Sequence, residues 1–349
     1  MSESLFEQNR MKTPLSELGE FGLIDQLTKG IVLNQKNTIK GVGDDAAAIQ
    51  YGDKTVVITT DMLAEAIHFD LTYVPLKHLG YKAAVVNFSD VYAMNATPRQ
   101  ITVSIALSNR FPIEAIEELY EGIKKACAVY EVDLVGGDTI SSKAGLMISI
   151  TAIGDVDNDK IVYRNGAEEN DIIMVSGDLG GAYMGLQLLE REKEVFLENS
   201  GANPELDGYD YILERQLKPE ARRDIVELLS ELNIKPTAMI DVSDGLASEI
   251  LHITSQSNKG CRLMEDKIPI DQTTFDLARE FGLDPTICAL SGGEDYELLF
   301  TIKQADYEKL QHSAFVTPIG FITSADKGNK LIDKSDNEHD IVAQGWKSF

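Results

Sequence analysis

Cysteine is scarce and scattered: Cys127, Cys261 and Cys288 are the only three, and no two form a CxxC pair. An odd number at such spacing frames neither a disulfide scaffold nor a zinc site, so all three are expected to be reduced and at least partly buried. Histidine is nearly as rare, five in the whole chain with no pair at ligand spacing, which argues against a histidine metal centre. No run of about 18 apolar residues exists to cross a bilayer. Met1-Ser2-Glu3-Ser4 lacks the basic and apolar segments of a secretion signal, and a cytoplasmic protein is expected. Positive charge is also short. The 32 Lys and Arg stand against 57 Asp and Glu, a net charge of -25, which disfavours nonspecific attraction to nucleic acid or an anionic membrane. An anionic ligand can still bind if it arrives with metal ions, which clustered carboxylates would hold. Motif absences narrow the chemistry further: there is no GxxxxGK[ST], no protein-kinase HRD or DFG, no serine nucleophile elbow and no HExxH.

What the chain does have is aspartate behind glycine or at the end of apolar runs. Gly41-Val42-Gly43-Asp44-Asp45 puts two adjacent carboxylates behind a flexible turn. A solvated turn and a cation-holding turn both fit that pair alone. The pattern then recurs at Thr59-Thr60-Asp61, Ser89-Asp90, Gly137-Asp138 and Asp241-Val242-Ser243-Asp244, too regularly for ordinary surface charge. Gly41-x-Gly43-x-x-Ala46 resembles a dinucleotide fingerprint, but two acids inside the loop would oppose phosphate.

With 349 residues and 43% hydrophobic content the chain can fill two cores. Residues 1–30 read as an arm followed by a short helix bearing Leu15, Leu18, Phe21, Leu23, Ile24 and Leu27, broken by Gly19 and Gly22. Val56 to Thr60 reads as a buried strand delivering Asp61 at its C-terminal end. Leu76 to about Ala93 reads as an unusually apolar helix with Asp90 inside it, a carboxylate that must be paired or bound to metal. Gln100 to Ser108 alternates as a strand, and Pro112 opens a helix striped by Ile113, Ile116, Tyr120, Ile123, Cys127 and Tyr130. Val132 to Val135 reads as a strand ending in Gly136-Gly137-Asp138, with Leu146 to Ile153 as its neighbour. Asp155 to Lys160 is the candidate domain boundary. Beyond it, Ile172 to Val175 leads into a helix ending near Glu192, residues 193–217 look like an excursion outside the core, and Pro219 starts a helix. Pro236 to Ile240 presents Asp241, and Ser243 or Asp244 can cap the helix that follows. Strands and helices then alternate to residue 322. The mixture lacks a strict βαβ rhythm, which favours an α+β (mixed α/β) fold of sheets layered with helices.

Phosphoryl transfer accounts best for the acids, because it needs positioning and charge neutralisation more than a protein nucleophile. Thr59 and Thr60 could add hydroxyl or backbone oxygens to the same ions. His68 reads equally as a packed or capping residue and as a substrate contact. Arg164, in a glycine-flanked loop, reads as a phosphate clamp or as one half of a surface ion pair.

Taken together, GEFGLI (19–24), GVGDDAAAI (41–49), TTDMLAEAIHF (59–69), NFSDVYAMNATP (87–98), GGDT (136–139), YRNGA (163–167), IDVSDGL (240–246), SGGEDYELLFT (291–301) and GWKSF (345–349) resemble, in order, the thiamine-monophosphate kinases of the aminoimidazole-ribonucleotide synthetase-like superfamily. The resemblance implies a two-domain fold: residues 1–155 as an ATP- and Mg2+-binding domain that dimerises through its sheet, and residues 156–349 as an α/β domain closing the cleft. It implies ATP-dependent, Mg2+-assisted phosphorylation of thiamine monophosphate to thiamine diphosphate by a homodimer, with no covalent phospho-enzyme. By motif position, Asp45, Thr60, Asp61, Asp90, Asp138, Asp241 and Asp244 look like Mg2+ ligands, Tyr120, Gly137, Asp138, Arg164 and Ser243 like ATP contacts, and His68, Glu294 and Trp346 like thiamine contacts. One departure stands out: where the family carries small residues after Ala-Met, this chain has Asn95. An aminoimidazole-ribonucleotide synthetase-like ligase is the alternative within the superfamily, and an inactive Mg2+- and nucleotide-binding regulator the alternative outside enzymes. The cysteine patterns of selenophosphate-synthetase-like and hydrogenase-maturation relatives are missing.

Overall fold

A computed structural model describes residues 19–199 and 203–343. The first half is a mixed sheet backed by two long helices. After α1 (Gly19–Thr28) come β1 (Thr38–Lys40), β2 (Ala47–Tyr51), β3 (Lys54–Ala64), α2 (Leu76–Ala93), β4 (Thr97–Leu107), α3 (Ile113–Tyr130), β5 (Asp133–Ser141) and β6 (Met147–Asp157). The strands lie in the order β1-β2-β3-β6-β4-β5, antiparallel except for the β4–β5 pair. The second half adds β7 (Ile172–Ser176), α4 (Gly181–Glu198), α5 (Asp210–Leu217), α6 (Arg223–Glu231), β8 (Ala238–Asp241), α7 (Leu246–Ser257), β9 (Lys259–Met264), α8 (Gln272–Glu280), α9 (Pro285–Ser291), β10 (Leu298–Ile302), α10 (Gln304–Leu310), β11 (Val316–Ser324), β12 (Asn329–Ile332) and β13 (Glu338–Asp340). Its sheet runs β13-β12-β9-β11-β7-β10-β8, with β9–β12 the parallel pair. The α+β architecture expected from the sequence is therefore present. Among the described residues no helix is long and apolar enough to cross a membrane, and all three cysteines are free and buried.

α2 is the hub. It is buried nearly along its whole length, so its sequence is apolar all round instead of striped. One side lies on β3, β4 and β6, another on α3, and its C-terminal end reaches β8 of the second sheet. The α2–α3 crossing is close because glycines face backbone: a Cβ at Gly80 would stand 1.9 Å from the Leu119 carbonyl oxygen, and one at Gly122 1.9 Å from that of Lys77. Gly122→Ala must force the helices apart, and an unfolding titration is expected to show a loss of about 2 kcal/mol or more, within or above the usual range for overpacking. An unchanged denaturation midpoint would contradict the close approach.

Several expectations need correction. Gly22 lies inside α1, which starts at Gly19; Leu15 and Leu18 lie outside the described residues. β3 runs through Asp61 to Ala64, so this carboxylate leaves the middle of a strand and not its end. Gly136-Gly137 is strand as well: a Cβ at Gly137 would sit 1.8 Å from the Val103 carbonyl oxygen, so glycine there serves a close strand approach and not a turn. Residues 193–217 are no excursion. α4 continues to Glu198, and α5 buries Ile212 and Gln216. The helix expected from Pro219 starts at Arg223. Neither Ser243 nor Asp244 caps α7; Gly245 does, at φ 106, where only glycine is unstrained.

Candidate active site

Three segments that are distant in sequence bring Asp45, Asp90 and Asp241 together, each offering an oxygen within 4.8 Å of the others. Asp45 comes from the loop between β1 and β2, where Gly43 takes φ 107 and turns the chain. Asp90 comes from the last turn of α2, the negative end of the helix dipole, where a carboxylate is least at home without a cation. Asp241 is the last residue of β8. α2 ties both sheets to this point: Thr59 on β3 donates to Asp90 at 2.6 Å, and Ser89 donates to Asp241 at 2.6 Å. Asn87, fully buried, accepts the Asp61 amide at 3.1 Å.

Burial and mutual repulsion push these acids toward their neutral forms. The Asp45 carboxyl is pushed up to about 7 by burial, against the pull of Arg164. Asp61 is pushed up to about 6 by burial. Asp241 also rises to about 6 through burial, partly offset by Ser89 and Arg164. Asp90 stands well above the usual carboxylate range because of burial and the charges of Asp61, Asp241 and Asp45. Asp244 is raised by burial and by Glu20; the buried Glu249, which accepts the Asp244 amide at 2.7 Å, is raised by burial and Asp244.

A hard divalent cation fits this donor set, oxygen-only and rich in charge. An observation of the geometry supports the fit: one Asp45 oxygen, Oδ2, is buried with no hydrogen-bond partner among the described residues. The other, Oδ1, takes Arg164 at 2.7 Å from Nη2 and 3.2 Å from Nε. Arg164 thus forms the ion pair foreseen for it, but in a cleft and with a site carboxylate. Burial opposes its charge, and Asp45 more than compensates, holding it above its ordinary value. Asp44 is spent on the loop: it pairs with Lys40 at 3.1 Å and accepts the Arg164 amide at 3.1 Å.

The remaining sequence candidates divide. Ser243, half-buried, gives its carbonyl to the Glu294 amide at 2.7 Å. His68 Nδ1 accepts the Ala64 amide at 3.0 Å, a local capping contact, while the ring lines a cleft with Phe69, Tyr73, Lys82 and Gln216. Glu294 pairs with Lys82 at 3.0 Å. Thr60 is directed to the opposite face of the first sheet, donating to the Ile150 carbonyl at 3.1 Å. Asp138 lies on that opposite face too. Asp61, Ile150, Val103 and Gly137 form one row across the sheet, and Met62, Ser149, Ser104 and Asp138 the next, so Asp138 points away from the side where Asp61 joins the acids. Tyr120 packs half-buried against the first core. Trp346 lies outside the described residues.

Sequence reading missed Lys82, Asn87, Ser89, Gln216 and Glu249. All five are buried, and for the first three the signal was available: polar side chains inside a helix with no polar face. Asn95 adopts φ 56 and its amide donates to the Lys160 carbonyl at 2.8 Å, so asparagine, which tolerates the left-handed region, replaces the small residue without losing the turn.

Comparison with known proteins gives the family. Residues 43–156 match the family described as AIR synthase related protein, N-terminal domain. The thiamine-monophosphate kinase of Aquifex aeolicus (strain VF5) is 33% identical over 336 residues, 96% of this chain and 99% of its own. That of Bacillus subtilis (strain 168) is 33% identical over 342 residues, 95% and 100%. The solved structure of AaThiL complexed with AMPPCP and TMP superposes with a TM-score of 0.82 at 31% identity, covering 97% of this chain and 100% of that one. With relatives this similar across the full length of both chains, the chain belongs to the thiamine-monophosphate kinase family.

Proposed function

We propose that this chain phosphorylates thiamine monophosphate with ATP, giving thiamine diphosphate and ADP, and that Asp45, Asp90 and Asp241, with Asp61 and Asp244 around them, hold Mg2+ for the transfer. The meeting of three buried aspartates from three segments within 4.8 Å carries this reading. Mg2+ bound there supplies the positive charge that a transferring phosphoryl group requires. The chain's own residues do the rest. Thr59 and Ser89 orient Asp90 and Asp241 through their hydroxyls. Arg164, released from Asp45, becomes available to a nucleotide phosphate, with Ser243 beside the cage. His68, Glu294 and Trp346 take the thiamine side. In this reading the acceptor phosphate itself attacks the ATP γ-phosphorus and ADP leaves, with no covalent phospho-enzyme.

A division into two domains belongs to the same reading, moved from residue 155 to just past β6, which keeps Asp155 to Asp157 in the first sheet, while the second sheet begins at Ile172. So does a homodimer. Thr60, Met62, Ser104, Asp138 and Ile140 are exposed on the open face of the first sheet, and β5 is exposed at every position. Packing two copies through this face would cover the exposed Met62 and Ile140 and bury Asp138 of each copy in the interface.

Incubating the purified chain with ATP, MgCl2 and thiamine monophosphate is expected to give thiamine diphosphate and ADP in equal amounts. No product from folded protein would sink the assignment, and turnover of formylglycinamidine ribonucleotide in its place would install the ligase reading.

A further inference from the structure

Lys82 is the buried cation that the acidic cage does not use. It lies on α2, 5% exposed, and its ammonium donates to the Gln216 carbonyl at 3.0 Å and to Glu294 Oε2 at 3.0 Å. The Gln216 side-chain amide donates to the same Glu294 oxygen at 3.1 Å. Three segments meet here, α2 under the first sheet, α5, and the loop entering β10. An amine this deep costs several kcal/mol unless paired, so its partner is well determined.

The loop it grips is strained. Glu294 and Tyr296 take φ 59 and 53, left-handed values that side-chain-bearing residues avoid, and Gly293 takes 71. Their amides are tied to Val242 and Ser243, next to Asp241: Glu294 donates to the Ser243 carbonyl at 2.7 Å and Tyr296 to that of Val242 at 2.9 Å. Such backbone persists where surrounding contacts over-determine it, and it concentrates at binding sites. The result is a carboxylate with its two oxygens in different states. Oε2 has two donors, while Oε1 has no hydrogen-bond partner among the described residues. The Glu294 side chain is 30% exposed, and beside it Lys82 lines a small cavity of about 10 Å³ with His68, Tyr73 and Gln216.

We propose that Lys82 is a positioning residue for the acceptor: with Gln216 it locks Glu294 Oε2, so that Oε1 is presented to the nitrogenous, cationic ring system of thiamine monophosphate. This rests on the kinase reading above and adds a specific job to a residue outside its motifs' aspartates. A lysine serving only to join helices would affect stability without distinguishing the two substrates. A lysine that aims Glu294 affects one of them.

The test is steady-state kinetics on Lys82→Met, Lys82→Arg and Gln216→Leu, with melting curves alongside. Lys82→Met is expected to raise KM for thiamine monophosphate about tenfold or more, leaving KM for ATP within about twofold and kcat less affected. Lys82→Arg should recover part of that loss, and Gln216→Leu should give a smaller rise of the same selectivity. Unchanged KM for thiamine monophosphate, or equal increases for both substrates, would overturn the proposal. Should Lys82→Met fail to fold, Gln216→Leu decides on the same criterion. The unmutated chain in the same assay keeps the two readings apart: if it makes no thiamine diphosphate the kinase assignment fails, whereas an active parent with unselective variants removes only the role of Lys82.

Discussion

Asp90→Asn is expected to lower kcat about a thousandfold or more while making the metal-free protein more resistant to heat. The two halves have one cause. Asp90 sits between Thr59, Asp45 and Asp241, at the negative end of α2, and its charge is opposed by burial and by Asp61, Asp241 and Asp45. Asparagine is nearly the same size, can still accept from Thr59, and removes one of the repelling charges. The folded metal-free state gains, and the melting temperature should rise by a few degrees. Transfer should lose, because on the proposed reading a cage short of one anion would hold Mg2+ less well where developing phosphoryl charge must be met, and removing one such electrostatic contribution costs about 10²–10³-fold. A variant that melts lower than the parent without Mg2+, or that keeps near-parental kcat, would contradict this account. Asp45→Asn should lose activity equally but gain less stability, since it also leaves the buried Arg164 without its partner.

The second large effect concerns pH. Asp45 is raised to about 7 and Asp61 and Asp241 to about 6, chiefly by burial, from an ordinary aspartate value of about 3.9. In this window the folded chain binds more protons than the unfolded one, so unfolding becomes easier as pH rises. The stability these groups give is complete below about pH 4 and lost progressively as pH climbs through about 6 to 7. The melting temperature of the metal-free chain is therefore expected to fall between about pH 5 and pH 8, with the slope shallower in Asp90→Asn. On the proposed reading Mg2+ would bind the ionised cage of the folded state, so it should raise the melting temperature by several degrees at the upper pH and by little at the lower. Equal stabilisation by Mg2+ at both values would show that it acts elsewhere on this acidic surface.

The elements legible in the sequence were those whose pattern depends on burial alone. α2 was read from Leu76 to Ala93, as found, because an apolar run of that length with one stranded acid has few other solutions. The acids themselves were legible because they recur beside glycine and at the ends of apolar runs. What misled was polar or glycine-rich sequence serving the interior. Gly136-Gly137 looks like a turn, yet it lets the Val103 carbonyl approach β5. The glycine-rich loop Ser176 to Gly181 before α4 is filled by the buried Asp295, which accepts the amides of Gly180 at 2.7 Å and Ala182 at 3.3 Å. Residues 193–217 read as surface because charge dominates there, but Arg215 and Gln216 are buried or nearly so and face acids of the other segments. Partners from other elements of the chain decide such positions, and no local pattern records them. Asp138 was identified as a site residue, but the face of the sheet it occupies depends on strand register.

The close crossing of α2 and α3 at Gly80 and Gly122 makes α2 a ruler. Backbone against backbone leaves the helix no room to slide along its axis. Lys82, beside the proposed acceptor site, and Asp90, in the cage, are two turns apart on that rod, about 12 Å at the rise of an α-helix. An acceptor whose ring is seated against Glu294 must span this fixed interval to bring an oxygen to the transferring group. In the proposed seating thiamine monophosphate would carry its own phosphate across; thiamine, shorter by that group, would stop short. Selection between the two would then be a matter of reach, set by a helix that cannot shift.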